Sequence, residues 1–193
     1  MRLLKCLLTV IVAGAFFFCI SCNSGNTPKP RGFFRISLPA KDYQLYTGDC
    51  PFRFEFPKYA EIWKDLDINA EPCWLNISFT QFKATLHLSY KKINGNLNSL
   101  AEDSRSFVYK HTVKADAIDE RTIFNRQKNL YGIFYDIKGN AASSLQFFLT
   151  DSMDNFLRGA LYFNVSPNKD SLAPVLDFLR KDVAHLIETF DWQ

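Results

Sequence analysis

The sequence predicts an α+β domain in which two main helices, one mid-chain and one C-terminal, pack on a largely antiparallel β-sheet. Three observations indicate this class. Short runs with strand character lie on both sides of a mid-chain helical pattern, a second helical pattern lies at the C-terminal end, and short polar links join several of the runs.

Four strands are predicted before the mid-chain helix. The clearest of them alternates, with Leu75, Ile77 and Phe79 on one face and polar side chains or Trp on the other. The link at 81–84 predicts a hairpin with the strand that follows. The four predicted strands are residues 33–38, 52–56, 74–79 and 85–90.

The mid-chain helix is predicted over residues 98–114, because apolar and small residues recur there at three- and four-residue spacing from Leu97 to His111. Strand character then returns, and Asp151 to Asp154 is typical of a tight turn between the last two strands. The four predicted strands of this half are residues 117–125, 130–138, 145–150 and 155–165.

The second helix is predicted over residues 171–190, with Pro174 in its first turn, where a missing N–H is tolerated. One apolar stripe runs along it, while Asp182 and other charged residues lie off the stripe. The stripe favours packing on the sheet, and a membrane or partner surface is the alternative. Its residues are Leu172, Val175, Leu176, Leu179, Val183, Leu186, Ile187 and Phe190.

Residues 1–21 are predicted to be an export signal. Two basic residues precede an apolar run over 7–20 that is too short and too near the terminus to indicate a membrane span. The run ends in Cys-Ile-Ser-Cys, which resembles the bacterial lipobox apart from Cys19 in place of Leu. We therefore expect Cys22 to carry the lipid that holds the mature protein on a membrane. The alternatives are an ordinary signal peptide and an uncleaved anchor.

The mature chain is predicted to have a lipidated N-terminus and tether at 22–32, followed by one globular domain at 33–193. Removal of the signal leaves 172 residues and lowers the net charge from +3 to +1, because Arg2 and Lys5 are lost. This balance gives no electrostatic case for nucleic acid as a partner. With 47% hydrophobic residues, the chain is able to form a core without metals.

Cys50 and Cys73 remain as a pair once the signal is removed and Cys22 is lipidated. In an oxidising compartment they favour a disulfide that closes a loop of about two dozen residues and stabilises the fold by roughly 3 kcal/mol. Two buried free thiols are the alternative.

No catalytic, metal-binding or phosphate-binding motif is present in the sequence. The histidines are far apart: His111 lies on the apolar stripe of its predicted helix, and His185 follows Asp182 at a spacing that indicates a surface contact. We therefore expect no enzymatic activity, no metal and no cofactor.

Arg31, Phe33, Phe34 and Arg35 place two cations around two aromatic side chains just after the tether. They are candidates for an interaction surface with lipid headgroups or a protein, since Arg and aromatic residues dominate binding hot spots. The simpler interpretation is a first strand with buried aromatics and outward arginines.

Two triplets, Asp151-Ser152-Met153 and Asp170-Ser171-Leu172, resemble the acceptor used for O-glycosylation in Bacteroidetes envelopes. Ser152 and Ser171 are therefore candidate modification sites. Asp and Ser are also ordinary turn and cap residues, and that reading is at least as good.

Several long strings in the mature chain resemble the gliding motility lipoprotein GldD family of Bacteroidetes. They are Pro28-Lys-Pro-Arg-Gly-Phe-Phe-Arg-Ile36, Asp49-Cys-Pro-Phe-Arg-Phe-Glu-Phe-Pro-Lys-Tyr59, Cys73-Trp-Leu-Asn-Ile-Ser-Phe79 and the stretch from Leu97 to Ile118. The resemblance implies a cell-envelope lipoprotein needed by the gliding machinery, which shares its envelope with the type IX secretion system. It implies no enzymatic activity or cofactor, and no functional residue beyond Cys22.

Within this resemblance, surface-displayed lipoproteins of the phylum carry an acidic run after the lipid cysteine, whereas residues 23–41 contain no Asp or Glu. We therefore predict a domain that faces the periplasm. The expected function is a non-catalytic assembly or scaffold factor whose partners are the membrane, through the anchor, and other gliding or secretion envelope proteins. The alternatives are a module that binds a small molecule, lipid or glycan and an unrecognised hydrolase.

Overall fold

The structure is a computed structural model that describes residues 36–166 and 168–193. The signal, Cys22, the tether and the candidate surface at Arg31, Phe33, Phe34 and Arg35 lie outside the described residues.

The described chain contains ten strands and two α-helices. The strands are β1 (Tyr43–Tyr46), β2 (Phe52–Pro57), β3 (Glu61–Lys64), β4 (Leu75–Phe79), β5 (Ala84–Lys92), β6 (Ala115–Asn125), β7 (Leu130–Gly139), β8 (Ser143–Thr150), β9 (Asn155–Phe163) and β10 (Asp191–Trp192), and the helices are α1 (Leu97–Tyr109) and α2 (Lys169–Thr189).

Seven strands form one sheet in the order β3-β4-β5-β9-β8-β7-β6, and β1-β2-β10 form a smaller one. Every strand pair is antiparallel, which confirms the predicted α+β class. The hairpin between β4 and β5 turns through a 3₁₀ segment over Thr80–Phe82, and Lys83 then takes a left-handed conformation with φ 49°.

One face of the large sheet packs against β2 and α2, and this contact contains most of the core. Phe52 and Phe54 of β2 stack near Phe190, with ring centroids 5.7 and 6.4 Å from it. The predicted apolar stripe of α2 is buried here, since Leu179 and Val183 are fully inaccessible to solvent. The stripe therefore belongs to the core and not to a membrane surface.

The other face of the sheet is covered by α1, which places Leu100 and Val108 against Tyr135, Phe148 and Phe156. Because β8 lies between both layers, all eight of its residues are buried. In the described residues, no helix combines the length and the apolar character needed to cross a bilayer.

Several predicted boundaries are wrong in informative ways. Residues 36–38 of the predicted first strand are not in a strand, and the rest of that strand lies outside the described residues. The first helix ends at Tyr109 and continues as a 3₁₀ turn, Lys110–Val113, because β6 begins directly afterwards. The second helix begins at Lys169, two residues early, so Pro174 lies in the second turn, where it removes a helical N–H.

Candidate functional site

The connection between β3 and β4 exposes the most accessible large apolar side chains of the described residues. Leu66 is 93% and Ile68 is 98% exposed, and Trp63 on the neighbouring edge strand is 60% exposed. Burial of a side chain of this kind contributes about 1.5–3 kcal/mol, so their exposure leaves stabilisation available to a binding partner.

A disulfide between Cys50 and Cys73 holds this connection at its C-terminal end. The two Cα atoms are 5.5 Å apart, and the bond joins residues separated by 23 positions. Cys50 is buried next to β2, so the cross-link ties the connection to the core. Cys73 has a left-handed backbone with φ 65°, which is uncommon for a residue with a side chain.

Side chains within the connection also brace its backbone. The carboxylate of Asp65 accepts the N–H of Asp67 at 2.9 Å, and the carboxylate of Asp67 accepts the N–H of Asn69 at 2.8 Å. These are successive Asx turns, in which a side chain replaces a backbone acceptor. The backbone N–H of Asp65 also donates to the carbonyl of Trp74 at 3.0 Å, which closes the base of the loop. The loop thus presents Leu66 and Ile68 from a stiff frame.

A cavity of about 590 Å³ lies beside this loop. Its apolar wall contains Ile62 and Trp74, and its charged residues include Asp49 and Glu71. Lys91 forms an ion pair with Glu71 and lies 5.7 Å from the ring centroid of Trp74. Lys64 also lines the cavity, so charges of both signs lie between its aromatic and aliphatic surfaces.

The titratable side chains of the cavity are carboxylates, Lys64 and Tyr46. Its lining contains no histidine, serine or threonine, and its cysteines are joined in the disulfide. Burial and the nearby Asp49 raise the pKa of the Tyr46 phenol, which leaves it a weak acid at neutral pH. The exposed side chains of Leu66 and Ile68 lead us to interpret the loop, with the cavity beside it, as a candidate binding surface.

A second polar cluster surrounds Asp182, which is 1% exposed on α2. Its carboxylate accepts hydrogen bonds from the phenols of Tyr43, at 3.0 Å, and Tyr59, and it pairs with the ammonium of Lys41 at 2.6 Å. Burial, followed by the hydrogen bond to Asp182, raises the pKa of Tyr43 to about 12 and that of Tyr59 still further. Because both tyrosines stay protonated and the carboxylate is fully partnered, the cluster has a structural role.

The candidate glycosylation serines are exposed at the kinds of position that the sequence predicts. Ser152 lies in the turn between β8 and β9 with φ 69°. Ser171 lies in the first turn of α2, and its N–H donates to the side chain of Asn168 at 3.2 Å. The carboxylate of Asp151 accepts three backbone N–H groups of its own turn, which gives that triplet a structural function as well.

Two histidines differ from their sequence interpretation. His185 contacts Glu55 at 2.6 Å and stacks on Tyr43 at 3.7 Å, so the predicted contact with Asp182 is wrong. His111 is half-buried in the 3₁₀ turn after α1 and not in the helix itself. In the part of the chain that the structure describes, no three His, Cys, Asp or Glu side chains converge as a metal site.

Sequence reasoning missed the exposed loop and the burial of Asp182. A signal for the loop is present, because the run Asp65-Leu-Asp-Ile-Asn69 alternates apolar residues with turn-forming ones inside a segment closed by cysteines. Residues 65–69 do not pair as a strand, and the side chains of both Leu66 and Ile68 lie outside the core. No local signal marks Asp182, since its three partners come from the other end of the chain.

Comparison with known proteins gives three findings. No curated protein matches the sequence of this chain. Among solved structures, the chain is similar to the solution structure of cyanobacterial PsbP (CyanoP) from Synechocystis, with 12% identity and a TM-score of 0.49 over 83% of this chain and 98% of that one. A family model described as gliding motility lipoprotein GldD matches residues 23–192.

Proposed function

This chain belongs to the gliding motility lipoprotein GldD family, and on that basis we propose that it is a non-catalytic assembly or scaffold factor of the gliding and type IX secretion machinery. Family membership supports a lipid-anchored envelope protein with a role in gliding motility. The proposal adds that the β3–β4 loop binds a protein of that machinery.

The exposure of Leu66 and Ile68 on a braced loop carries this proposal. A binding surface that is already ordered loses little conformational entropy on association, so more of the burial energy contributes to affinity. The disulfide to Cys50 keeps the loop in place without requiring a partner.

Charge complementarity identifies the chemistry of the partner. The carboxylates of Asp65 and Asp67 lie in the loop and that of Asp49 lines the adjoining cavity, whereas Glu71 is already paired with Lys91. A segment that presents apolar side chains flanked by Lys or Arg would bury Leu66 and Ile68 and pair with these carboxylates. An anionic membrane surface would be repelled, which favours a protein partner.

We propose the anchor and the orientation of the domain on the basis of the sequence alone. Cys22 is the proposed lipid attachment site, and residues 22–32 form the proposed tether. The absence of Asp and Glu from residues 23–41 supports a domain that faces the periplasm. Digestion by protease in intact, unpermeabilised cells would contradict this orientation, and protection until permeabilisation would support it.

A second candidate function is binding of a small molecule, lipid or glycan. The cavity beside the loop, at about 590 Å³, falls in the size range of ligand sites. Tyr46 and Trp74 supply aromatic surface, but charged residues interrupt it. The exposed apolar loop favours the protein-binding proposal over this alternative.

Site-specific photocrosslinking in native envelopes tests the proposal. A photoreactive amino acid replaces Leu66 in one strain and Val113, which is 89% exposed elsewhere on the domain, in a matched control. We expect an adduct with an identified gliding or secretion envelope protein at position 66 and none at position 113. The same experiment in a Cys22→Ala background should lose the adduct.

Two results would overturn the protein-binding proposal. One is equal adduct formation at positions 66 and 113, which would indicate non-specific contact. The other is the absence of any adduct at position 66 in cells that glide normally. In the second case, cofractionation of the protein with a small molecule or glycan would favour the alternative function.

A further inference from the structure

The sheet face beneath α1 carries a row of polar side chains that extends beyond the helix. Strand register places Asn76 opposite His87, His87 opposite Ala160, and Ala160 opposite Gln146. Since side chains alternate between the faces of a strand, Arg158 and Tyr162 lie on the same face as Ala160, one on each side of it. Polar and basic side chains thus surround the small side chain of Ala160 on this face of the sheet.

Arg158 is a largely buried cation, and among the described side chains no carboxylate lies at ion-pair distance from it. Its guanidinium donates to the side-chain oxygen of Gln146 at 2.5 Å, forms a hydrogen bond with the side chain of Tyr162, and lies 4.8 Å from the ring centroid of Phe107. Burial lowers the pKa of Arg158, although the guanidinium remains charged. Arg180 differs, because it pairs with both Asp136 and Asp177.

Donor groups beside Arg158 lack acceptors. The Nε of Arg158 and the Nε2 of Gln146 are buried without a hydrogen-bond partner, and Gln146 itself is 1% exposed. The phenol oxygen of Tyr135, on the residue opposite Gln146 in β7, is also unpartnered. Buried donors in native proteins are satisfied by water or by a ligand. In this protein the unpartnered donors lie near Arg158, which has no carboxylate partner among the described side chains.

Two histidines, His87 and His111, lie within electrostatic reach of Arg158. Burial, and then the charge of Arg158, lower the pKa of His111, and both effects also act on His87, where Asp65 partly offsets them. The Nδ1 of His87 is 2.6 Å from the side-chain oxygen of Asn76, an acceptor, so Nδ1 carries the hydrogen. The Nε2 of His87 is then an acceptor in the neutral ring, and it donates to an anion when the ring takes up a proton. The described groups that act on His87 are Asp65, Arg158 and the Tyr162 ring, 5.7 Å away.

We propose that Arg158, with His87 and Gln146, forms a binding site for a carboxylate or phosphate group on this face of the sheet. A guanidinium binds such anions through its N–H groups. The Nε–H of Arg158 has no partner, whereas other N–H groups of its guanidinium contact Gln146 and Tyr162. The anion supplies both the missing counter-charge and the missing acceptors. Its source is a free anion or the headgroup of an anionic lipid, and the experiment separates the two.

The histidines provide a direct assay, because the chain has three of them. The full-length lipoprotein is labelled at histidine, purified in a non-ionic detergent and titrated with pH by NMR, with and without inorganic phosphate. Bound phosphate should raise the pKa of His87 and His111 and leave His185, which contacts Glu55, unchanged. A parallel sample uses phosphatidylcholine vesicles with and without phosphatidylglycerol.

Each outcome of this assay decides the proposal. A response of His87 and His111 to phosphate supports a site for free anions, and a response only to phosphatidylglycerol supports a lipid headgroup. Equal shifts in His185 would reveal a general salt effect and would contradict the site. The absence of any response to either probe would overturn it.

Arginine variants test the same inference by calorimetry. Arg158→Gln should weaken phosphate binding at least tenfold, since a charge-assisted contact is lost. The control is Arg53→Gln, which removes an exposed arginine paired with Asp191 and should leave affinity unchanged. Equal binding by Arg158→Gln and the wild type would refute the site. If Arg158→Gln does not fold, the histidine assay on the wild-type protein still decides.

Discussion

The ammonium group of Lys41 lies 2.6 Å from the carboxylate of Asp182 and 3.2 Å from the ring centroid of Phe178. Lys41 precedes β1, whereas Asp182 and Phe178 belong to α2. Burial lowers the pKa of Lys41, and the bond to Asp182 partly offsets this effect. The contact therefore fastens the segment that follows the predicted tether to the last helix of the domain.

Replacement of Asp182 by Asn should destabilise the domain by about 1.5–3 kcal/mol, because the phenols of Tyr43 and Tyr59 lose their buried, charged acceptor. Denaturant unfolding monitored by circular dichroism measures this loss. The control is Asp42→Asn, which removes the exposed pair with Lys58 and should cost at most about 1 kcal/mol. Similar losses in both variants would contradict a structural role for the Asp182 cluster.

Substitution of Leu66 and Ile68 by Ser should abolish gliding without loss of stability. Both side chains are almost fully exposed, so the free energy of unfolding should stay within about 0.5 kcal/mol of the wild-type value. Colony spreading and denaturant unfolding of the same variant supply the two measurements. Val113→Ser is the matched control and should preserve spreading. Normal spreading of the double variant would contradict a partner site on the loop.

Much of the fold was predictable because its signals are local. Alternation in residues 75–79 predicts β4, and the stripe from Leu172 to Phe190 predicts the buried face of α2. The strands β1, β3 and β10 were missed, since each has four residues or fewer and depends on pairing with a neighbour. Such short strands contain too few residues to show the alternation of apolar and polar side chains that predicts a strand.

The candidate sites were less predictable than the fold. The sequence identifies Cys50 and Cys73, but not that their bond holds an exposed apolar loop. Arg158 resembles any strand arginine until register places His87 and Gln146 around it. Each of these features depends on contacts between residues that are far apart in the chain, and local sequence patterns do not predict such contacts.

Removal of the disulfide by Cys50→Ala with Cys73→Ala should lower stability by about 3 kcal/mol, as expected for a loop of this length. Unfolding of the wild type with and without a reducing agent provides a second measurement of the same effect. The double variant should be insensitive to the reducing agent. Equal midpoints for the variant and the oxidised wild type would show that the bond does not stabilise the fold.

Acidification below about pH 6.5, the ordinary histidine value, should destabilise the domain. Burial lowers the pKa of His87 and His111 in the folded state, so the unfolded chain takes up protons first as the pH falls. The stabilisation is fully present above the unfolded pKa and is lost as the pH falls through the lower folded values, with a slope of at most about 1.4 kcal/mol per pH unit for each histidine. Denaturant unfolding in a low-phosphate buffer between pH 7.5 and 5.5 measures the slope, and His87→Gln with His111→Gln should reduce it. An unchanged slope in that double variant would assign the pH dependence to other groups, whatever the variant's absolute stability.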